Sequence, residues 1–376
     1  MNTHYRLLHI LPDEKVVDSF ISILETVYPG DSLYVIYGET PSRIISKVKG
    51  NILFFQSKSK AFRDFLCHLE TFERVFFHSL GHLRVFKKVK HPNITICIWG
   101  GDLYEALLAR KGFKIYTDED VVWKIRARNK KLPVCIYKFL VGMRDTVYAS
   151  REVNLLKRSK FVYAKNCDIK LLRTYFPSLT FQSVMGSFSY YPIEKLVGER
   201  QLNLWCAGKN IWVNNSAAMN GNHISVFERL KGIHSSIKIY SPLSYGGAPF
   251  RAYIEKKGYE ILGDKFYPIK DFLPPEEYYG LFLNVNSFVF GHYRQCAYGN
   301  ILVALYLGAK CFFYKSNPLY NDLLSEGLII FDLEKDFNES FALSPLSSSL
   351  RARNREIVMR TNSFDALMQQ LRVSFK

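Results

Sequence analysis

Short apolar runs rich in β-branched and aromatic residues alternate with amphipathic runs of helical length along most of this chain. The first such pair is Tyr5–Leu11, with strand character, followed by a helical pattern from Asp13 to Val27. Strands that alternate with helices pair in parallel, and their sheet needs helices on both faces. The alternation therefore predicts an α/β protein with doubly wound parallel sheets.

The alternation falls into two series, residues 1–188 and residues 200–350, joined by the turn-rich segment Gly186–Arg200. A chain of 376 residues exceeds what a single hydrophobic core usually supports. We therefore expect two Rossmann-like domains that face each other across a cleft. Residues 351–376 are predicted to form a C-terminal helix that packs back on the first domain.

The chain is basic, and its charge is uneven. The net charge is +17, and residues 1–200 carry 32 Lys and Arg against 19 Asp and Glu. Such an excess favours an anionic partner: nucleic acid, anionic lipid or a phosphorylated substrate. The seven cysteines form no CxxC pair, which indicates free thiols in a reducing compartment. Without a signal-like or membrane-spanning segment, a cytoplasmic location is expected.

The segment Trp123–Arg144 combines seven Lys and Arg with apolar and aromatic residues. A basic amphipathic stretch of this kind can lie on an anionic membrane surface. A solvated helix face is an equally good interpretation. We expect peripheral contact between this segment and the inner face of the cell membrane.

Two loops of the second series have the composition of a nucleotide site. The segment 214–223 follows a strand and precedes a helix, and its Asn215, Ser216 and Asn222 supply small polar groups near that helix N-terminus. Helix N-termini bind phosphate. Ser241 and Tyr245 belong to a Gly-containing segment after the next strand. An ordinary polar loop and a plain turn are the alternative interpretations.

The segment Gly291–Asn300 is the richest candidate. It joins a strand to a helix, and Arg294 offers a planar fork that suits bidentate phosphate contact. A surface arginine and a capping asparagine are the alternative. The predicted donor-binding residues of this segment are Tyr293, Arg294, Gln295, Gly299 and Asn300.

The run Ile96–Glu105 contains a short apolar strand, a glycine pair and an acid. Glycines let the backbone turn tightly and approach a ligand. Asp102, with His78 as alternative or helper, is predicted to act as general base on an acceptor hydroxyl. A helix cap for Asp102 and a core position for His78 are the alternatives. The predicted acceptor-side residues are Trp99, Gly100, Gly101 and Tyr104.

An ordered set of motifs over residues 70–325 resembles a known family, the 4-acetamido-4,6-dideoxygalactose (Fuc4NAc) transferases of glycosyltransferase family 56. The matching segments are Phe76–His78, Ile98–Tyr104, Asn215-Ser216, Asn222–Ile224, Tyr253–Glu255, Phe290–Gln295, Gly299, Gly308–Lys310 and Asn317–Asp322. The family has an Ala where Gly101 stands, and the tail after Phe331 shows little resemblance.

The resemblance implies a GT-B architecture and transfer of a Fuc4NAc-like deoxyamino sugar from a dTDP-sugar donor. The acceptor would be a polyprenyl-diphosphate-linked saccharide used in surface polysaccharide assembly, and the enzyme would need no cofactor or metal. The region Arg294–Leu302 lacks the two acids, eight positions apart, of many retaining GT-B enzymes. The stereochemical course is therefore left open.

Other functions compete with this one. A glycosyltransferase that uses UDP- or GDP-sugars would need the same loops, as would a non-catalytic nucleotide-sugar-binding protein. Nucleic-acid binding is disfavoured, because the basic residues are spread over several helices and no known nucleic-acid motif occurs.

Overall fold

The computed structural model describes residues 5–14, 16–39, 51–80, 89–184 and 189–374, apart from the side chains of residues 106, 183 and 184. The chain forms two compact units. The first consists of Met1–Phe113, Gly142–Tyr191 and Phe364–Lys376, and the second of Lys114–Val141 and Pro192–Ser363.

The first unit is built on one parallel sheet of seven strands. The strands are β1 (Leu7–Pro12), β2 (Ser32–Gly38), β3 (Ile52–Gln56), β4 (Arg74–His78), β5 (Ile94–Cys97), β6 (Phe161–Tyr163) and β7 (Gln182–Val184). Among the described residues up to 113, the helices are α1 (Val17–Val27), α2 (Lys60–Phe65) and α3 (Gly101–Leu103).

The strand order of this sheet is β3-β2-β1-β4-β5-β6-β7. The order reverses direction between β1 and β4, as in doubly wound nucleotide-binding folds. Strands β1, β2 and β5 are buried along most of their lengths, because helices cover parallel sheets of this kind on both faces. The predicted Rossmann-like topology of this half is confirmed.

The second unit holds a parallel sheet of six strands. They are β8 (Asn210–Val213), β9 (Ile239–Pro242), β10 (Phe266–Ile269), β11 (Val285–Phe290), β12 (Lys310–Phe313) and β13 (Phe331–Asp332). The further helices of the chain are α4 (Glu119–Asn129), α5 (Val134–Arg158), α6 (Asn166–Tyr175), α7 (Ile193–Val197), α8 (His223–Leu230), α9 (Ala248–Leu262), α10 (Pro275–Gly280), α11 (Tyr298–Tyr306), α12 (Pro318–Ser325), α13 (Glu339–Leu343), α14 (Ser348–Asn362) and α15 (Phe364–Ser374).

The order of the second sheet is β10-β9-β8-β11-β12-β13, so its reversal falls between β8 and β11. Both strands are central and almost wholly buried. Ligands of open α/β sheets bind outside the carboxyl ends of the strands at such a reversal. The loops after β8 and β11 are therefore the first place to look for a site in this unit.

The boundaries of the two units differ from the sequence-based domains 1–188 and 200–350 in one long segment. Residues 114–141 leave the first unit and pack with the second, where α4 lies against α9. No local sequence pattern predicts that residues 114–141 belong to the second unit, because this placement depends on contacts with residues more than 100 positions away. Of the predicted linker, residues 186–188 lie outside the described part of the chain, and Pro192 already belongs to the second unit.

The predicted C-terminal helix at residues 351–376 is two helices with different partners. Helix α14 packs against α11 in the second unit. Helix α15 joins the first unit, where Leu367 and Leu371 enter the core beside α1. The Tyr163 hydroxyl also donates to the backbone carbonyl of Ser374 at 2.6 Å.

Candidate functional site

Asn214 and Gly291 join the loops that follow β8 and β11. Asn214 has a left-handed backbone, with a φ of 59°, and its Oδ1 accepts the N–H of Gly291 at 2.9 Å. Its Nδ2 donates to the Gly221 carbonyl at 2.9 Å. One side chain thus fixes the spacing of both loops at the sheet's reversal point.

Gly291 occupies a position with no room for a side chain. A Cβ there would lie 2.3 Å from the Gly221 carbonyl oxygen and 2.6 Å from a methyl of Val226. Real Cβ atoms do not approach so closely, so the position requires glycine. The β11 loop therefore runs directly against the loop that precedes α8.

Asn222 stands at the N-terminal end of α8 in a left-handed conformation, with a φ of 52°. Its Nδ2 donates to the carbonyls of Gly291 at 2.8 Å and Ile115 at 3.2 Å, and its Oδ1 accepts the N–H of Thr117 at 2.9 Å. The sequence predicted a ligand-binding role for Asn222. These bonds instead commit its amide to holding three chain segments together.

Several buried polar atoms at this end of the sheet have no hydrogen-bond partner. They are Nδ1 of His292, Oδ1 of Asn215 and Oγ of Ser241. His292 and Ser241 are at most 1 % exposed. Leaving such groups unpaired costs about 1 to 3 kcal/mol each, so the arrangement favours a polar ligand.

His223 and His292 are both neutral at physiological pH. Burial lowers the pKa of His223 to about 3, the nearby His292 adds to the effect, and the Ser216 backbone opposes it. Burial and the charge of Arg294 lower the pKa of His292 to about 3. Each ring therefore has one donor and one acceptor nitrogen.

Arg294 and Tyr293 follow in the same loop. The Arg294 guanidinium is partly buried and donates to the backbone carbonyl of Gln295 at 3.0 Å. The Tyr293 ring packs edge-on against Tyr314 at 5.0 Å, and the Lys114 ammonium lies 5.7 Å from its centre. Two cations thus lie in or beside this loop.

Other predicted residues of the second unit differ in what they offer a ligand. Tyr245 is 61 % exposed, and its carbonyl accepts the Ala217 N–H at 2.7 Å, joining the β8 and β9 loops. Ser216 is 6 % exposed in the first of those loops. Ser241 was expected in a loop, but it lies inside strand β9 with its hydroxyl buried.

The start of α11 also departs from expectation. The helix begins at Tyr298, after Ala297 with a φ of 60°, so Gly299 lies in its first turn. The amide of Asn300 turns inward and donates to the Tyr278 hydroxyl at 2.7 Å. Asn300 therefore holds α10 against α11 and does not present its side chain to a ligand at the helix end.

In the first unit, Asp102 is saturated with hydrogen bonds. Its Oδ2 accepts the N–H of Leu80 at 2.8 Å and the Ser79 hydroxyl at 3.2 Å. Its Oδ1 accepts the N–H groups of Leu103 at 3.1 Å and Trp99 at 3.2 Å. A carboxylate has about four lone-pair positions, and this one uses all four to join the loops after β4 and β5.

His78 does not face solvent, which corrects the prediction of a base at the sheet edge. Strands β4 and β5 are neighbours as expected, but the His78 imidazole is fully buried. Its Nε2 lies 3.0 Å from His9 Nδ1, and its Nδ1 lies 2.9 Å from the Tyr190 hydroxyl. Both ring nitrogens are used within the core, so no acceptor hydroxyl reaches them in this conformation.

The other predicted acceptor-side residues divide in two. Tyr104 is fully buried, and its hydroxyl donates to Asp168 at 2.6 Å, so it is a core residue. Trp99 is half-buried, and its indole N–H donates to the Tyr190 hydroxyl. Gly100 has a φ of 100°, which favours glycine, while Gly101 begins α3 with open space around its Cα.

The predicted site residues did not include His223 and His292, which the structure places beside them. Both stand beside a residue that was singled out, His223 after Asn222 and His292 just before the Tyr293–Gln295 group. Two signals could have found them: their position at a strand end or helix start, and their inclusion in the family-like segments Asn222–Ile224 and Phe290–Gln295. Within the described ranges, no group of three or more His, Cys, Asp or Glu side chains has an arrangement that could hold a metal ion.

Comparison with known proteins identifies the fold. No protein-family model and no curated protein sequence matches the chain. Solved structures match over its whole length. HepE from Anabaena, solved with UDP and glucose, has a TM-score of 0.64 at 10 % identity, with 99 % of each chain covered.

Two further structures agree with it. Sucrose-phosphate synthase from Thermosynechococcus elongatus has a TM-score of 0.62 at 10 % identity, covering 98 % of both chains. A glycosyltransferase from Rickettsia africae has a TM-score of 0.61 at 12 % identity, covering 100 % of this chain and 98 % of its own. The chain has the GT-B fold. The GT-B architecture expected from the family resemblance is thereby confirmed, whereas family 56 itself is not.

Proposed function

We propose that this GT-B protein is a glycosyltransferase and that its second unit binds a nucleotide-sugar donor. The observation that carries the proposal is the convergence of unpaired, buried polar atoms with Arg294 at the reversal point of the second sheet. This is where doubly wound sheets bind ligands. HepE, of the same fold, was solved with UDP and glucose.

The electrostatics suit a diphosphate. The N-terminus of α8 has unpaired backbone N–H groups and a partial positive charge, which attract phosphate oxygens. Arg294 adds a full charge in the β11 loop, and the neutral His292 adds a hydrogen-bond donor without a pH-dependent charge. Such groups stabilise the negative charge that develops on a leaving nucleoside diphosphate without requiring a metal.

The finer proposal names the substrates. We infer a dTDP-linked, Fuc4NAc-like deoxyamino sugar as donor and a polyprenyl-diphosphate-linked saccharide as acceptor, on the ordered motifs of residues 70–325. Asp102 remains our choice for activation of the acceptor hydroxyl. To act as base it must release one of its four hydrogen bonds when the acceptor arrives. A UDP- or GDP-sugar donor is the alternative.

Titration calorimetry with dTDP, UDP and GDP tests donor binding. We expect dTDP to bind most tightly, and we expect Arg294→Ala to weaken it about 10- to 100-fold, since a charge-assisted bond contributes about 1.5 to 3 kcal/mol. Arg353→Ala, at an exposed position of α14, is the matched control. Equal affinity of the wild type and Arg294→Ala for every nucleotide contradicts the assignment.

A non-catalytic nucleotide-sugar-binding protein would give the same calorimetry. Incubation with a labelled dTDP-sugar and a polyprenyl-diphosphate-linked saccharide separates the two functions. Transfer of label to the lipid phase supports the enzyme. Tight donor binding with neither transfer nor hydrolysis supports the binding protein.

Helix α5 supports contact with an anionic membrane surface. Ile136, Phe139, Leu140, Met143 and Val147 recur at helical spacing and are 47 to 66 % exposed, so they form one apolar face. The segment 123–144 begins before this face and includes most of it. It has seven Lys and Arg and no Asp or Glu. Apolar faces flanked by cations bind anionic bilayers. Among the described residues, no helix is long and apolar enough to cross a membrane.

Sedimentation with vesicles tests this contact. We expect the protein to pellet with vesicles of 30 % phosphatidylglycerol, less as salt rises, because cations near such a surface contribute about 1 kcal/mol each. Phe139→Ser should abolish pelleting, whereas Phe272→Ser, at a 77 % exposed phenylalanine elsewhere, should not. Equal pelleting of both variants contradicts the proposed surface.

A further inference from the structure

A chain of four hydrogen-bonded side chains in the first unit ends at Trp99. The indole N–H of Trp99 donates to the Tyr190 hydroxyl, and that oxygen lies 2.9 Å from His78 Nδ1. His78 Nε2 lies 3.0 Å from His9 Nδ1. Both imidazoles are fully buried. Apolar side chains would pack in the core without the cost of burying these polar groups, so the chain calls for a reason beyond packing.

The chain has a consistent direction of donation. An indole N–H can only donate, so the Tyr190 oxygen accepts from Trp99. Burial lowers the pKa of His9 and of His78, which keeps both rings neutral. A neutral imidazole donates through one nitrogen and accepts through the other. Tyr190 can therefore donate to His78 Nδ1, while His78 donates through Nε2 to His9 Nδ1.

Aromatic packing holds the middle of the chain in place. The ring of Phe20 lies 4.6 Å from the ring of His78 and 5.3 Å from the ring of Tyr190, and it is 1 % exposed. Buried polar groups that satisfy one another in such packing specify a single arrangement. The Tyr190 hydroxyl is therefore a fixed point to which the indole of Trp99 is bonded.

Trp99 lies where a ligand of the first unit can meet it. It follows β5 at the carboxyl end of the sheet, and its backbone N–H donates to Asp102 at 3.2 Å. Its side chain is half-buried, so part of the indole is open to solvent. Indoles present a large, flat apolar surface. The C–H faces of a sugar ring are apolar as well, and they pack on surfaces of this kind.

We propose that Trp99 stacks on the terminal sugar ring of the acceptor saccharide and that Tyr190, held by His78 and His9, is a positioning residue that fixes the orientation of the indole. A sugar stacked there lies beside Asp102, the proposed base. This inference rests on the proposed function, because it needs a saccharide acceptor.

Removal of one oxygen atom tests the positioning role. Tyr190→Phe keeps the ring beside Phe20 but takes the acceptor away from the Trp99 indole. Tyr28→Phe is the matched control, because it removes another phenolic hydrogen bond of the first unit, to the Arg372 carbonyl at 3.2 Å. Transfer rates give the KM for a polyprenyl-diphosphate-linked saccharide with a shortened prenyl chain. Calorimetry gives the affinity for dTDP.

We expect Tyr190→Phe to raise the acceptor KM about 3- to 10-fold, which corresponds to one hydrogen bond, and to leave kcat and the dTDP affinity within about twofold. An unchanged acceptor KM overturns the proposal. A rise of the same size in Tyr28→Phe also overturns it, because the effect would then be a general loss of stability.

A double variant tests whether Tyr190 acts through Trp99. Trp99→Phe keeps a ring but has no N–H, and it should raise the acceptor KM at least as much as Tyr190→Phe. Adding Tyr190→Phe to Trp99→Phe should then change KM less than about twofold, since the hydrogen bond is already lost. Effects that multiply in full show that Tyr190 acts independently of Trp99, which overturns its positioning role.

Tryptophan fluorescence tests the stacking in the wild type, whatever the variants do. A saturating concentration of the same saccharide should change the emission, because a stacked sugar displaces water from the indole. The change should be absent in Trp99→Phe. No change in the wild type, or a change that persists in Trp99→Phe, overturns the stacking.

Failure of the proposed function has a different signature. In that case the wild type binds none of dTDP, UDP and GDP and transfers no sugar, before any variant is made. The stacking proposal fails by itself when wild-type donor binding and transfer are intact and the acceptor KM does not depend on residue 99 or residue 190.

Discussion

The carboxylate of Asp102 accepts the backbone N–H of Leu80 at 2.8 Å, across the gap between the loops after β4 and β5. The same carboxylate accepts the N–H of Trp99 and of Leu103, at the start of α3. The carboxylate that the sequence predicts to be catalytic thus also holds these two loops together. The two roles make different predictions.

Asp102→Asn separates these roles. Asparagine keeps one acceptor oxygen but turns an amide N–H₂ toward backbone donors, so we expect the free energy of unfolding to fall by about 1 to 3 kcal/mol. If Asp102 is also the base, kcat falls by about 100-fold or more in protein that is still folded. Urea unfolding and single-turnover transfer measure the two effects. A kcat that simply follows the folded fraction removes the catalytic role.

Asn222→Ala should destabilise the second unit by about 3 kcal/mol or more. It removes buried hydrogen bonds to Gly291 and Thr117, at about 1 kcal/mol each, and it puts a Cβ without polar compensation in a left-handed conformation, at about 1 to 2 kcal/mol. Asn222→Gly loses the same hydrogen bonds, but glycine adopts the left-handed conformation without strain. It should therefore be about 1 kcal/mol more stable than Asn222→Ala. Equal unfolding free energies of the two variants contradict a cost of the left-handed conformation at residue 222.

Acid should destabilise the first unit through His78. Burial lowers its pKa in the folded state to about 3, while the unfolded value is near 6.5. Between these pH values the unfolded chain binds one more proton than the folded chain. The contribution of His78 to the free energy of unfolding is therefore complete above pH 6.5 and is lost as the pH falls below it. The pKa of His9 is lowered in the same direction, by burial and by His78.

Urea unfolding between pH 5.0 and 6.5 measures this dependence. We expect His78→Gln to reduce the slope of the unfolding free energy against pH by about 1 kcal/mol per pH unit. One imidazole with a lowered pKa contributes at most about 1.4 kcal/mol per pH unit. His68→Gln, at an exposed histidine, is the matched control. An identical slope in wild type and His78→Gln would contradict the buried, neutral state of His78.

Tyr104→Phe should affect stability without affecting the acceptor. The Tyr104 hydroxyl donates to the buried Asp168, and bonds to charged groups contribute about 1.5 to 3 kcal/mol. We expect a loss of this size in thermal or urea unfolding. KM for the lipid-linked acceptor should stay within about twofold of the wild type. A raised KM with an unchanged free energy of unfolding would instead support acceptor binding by Tyr104.

The sequence by itself determined the order of strands and helices and the loops where polar residues collect. Strand Val285–Phe290 and helix Tyr298–Tyr306 lie where apolar patterning indicated, and Arg294 lies in the loop between them. Patterning of this kind is local, because burial on one face repeats every two or 3.6 residues. Parallel pairing then places those loops at one edge of the sheet.

Tertiary structure alone decided which polar side chains are occupied and which are unpaired. His78 bonds His9 and Tyr190, 69 and 112 positions away, and Asn222 bonds Thr117, 105 positions away. Nδ1 of the buried His292 has no hydrogen-bond partner among the described residues. A sequence gives each residue's donors and acceptors, but partners so distant along the chain meet only when the sheets have formed. Whether a buried histidine nitrogen finds a hydrogen-bond partner is therefore a property of the fold.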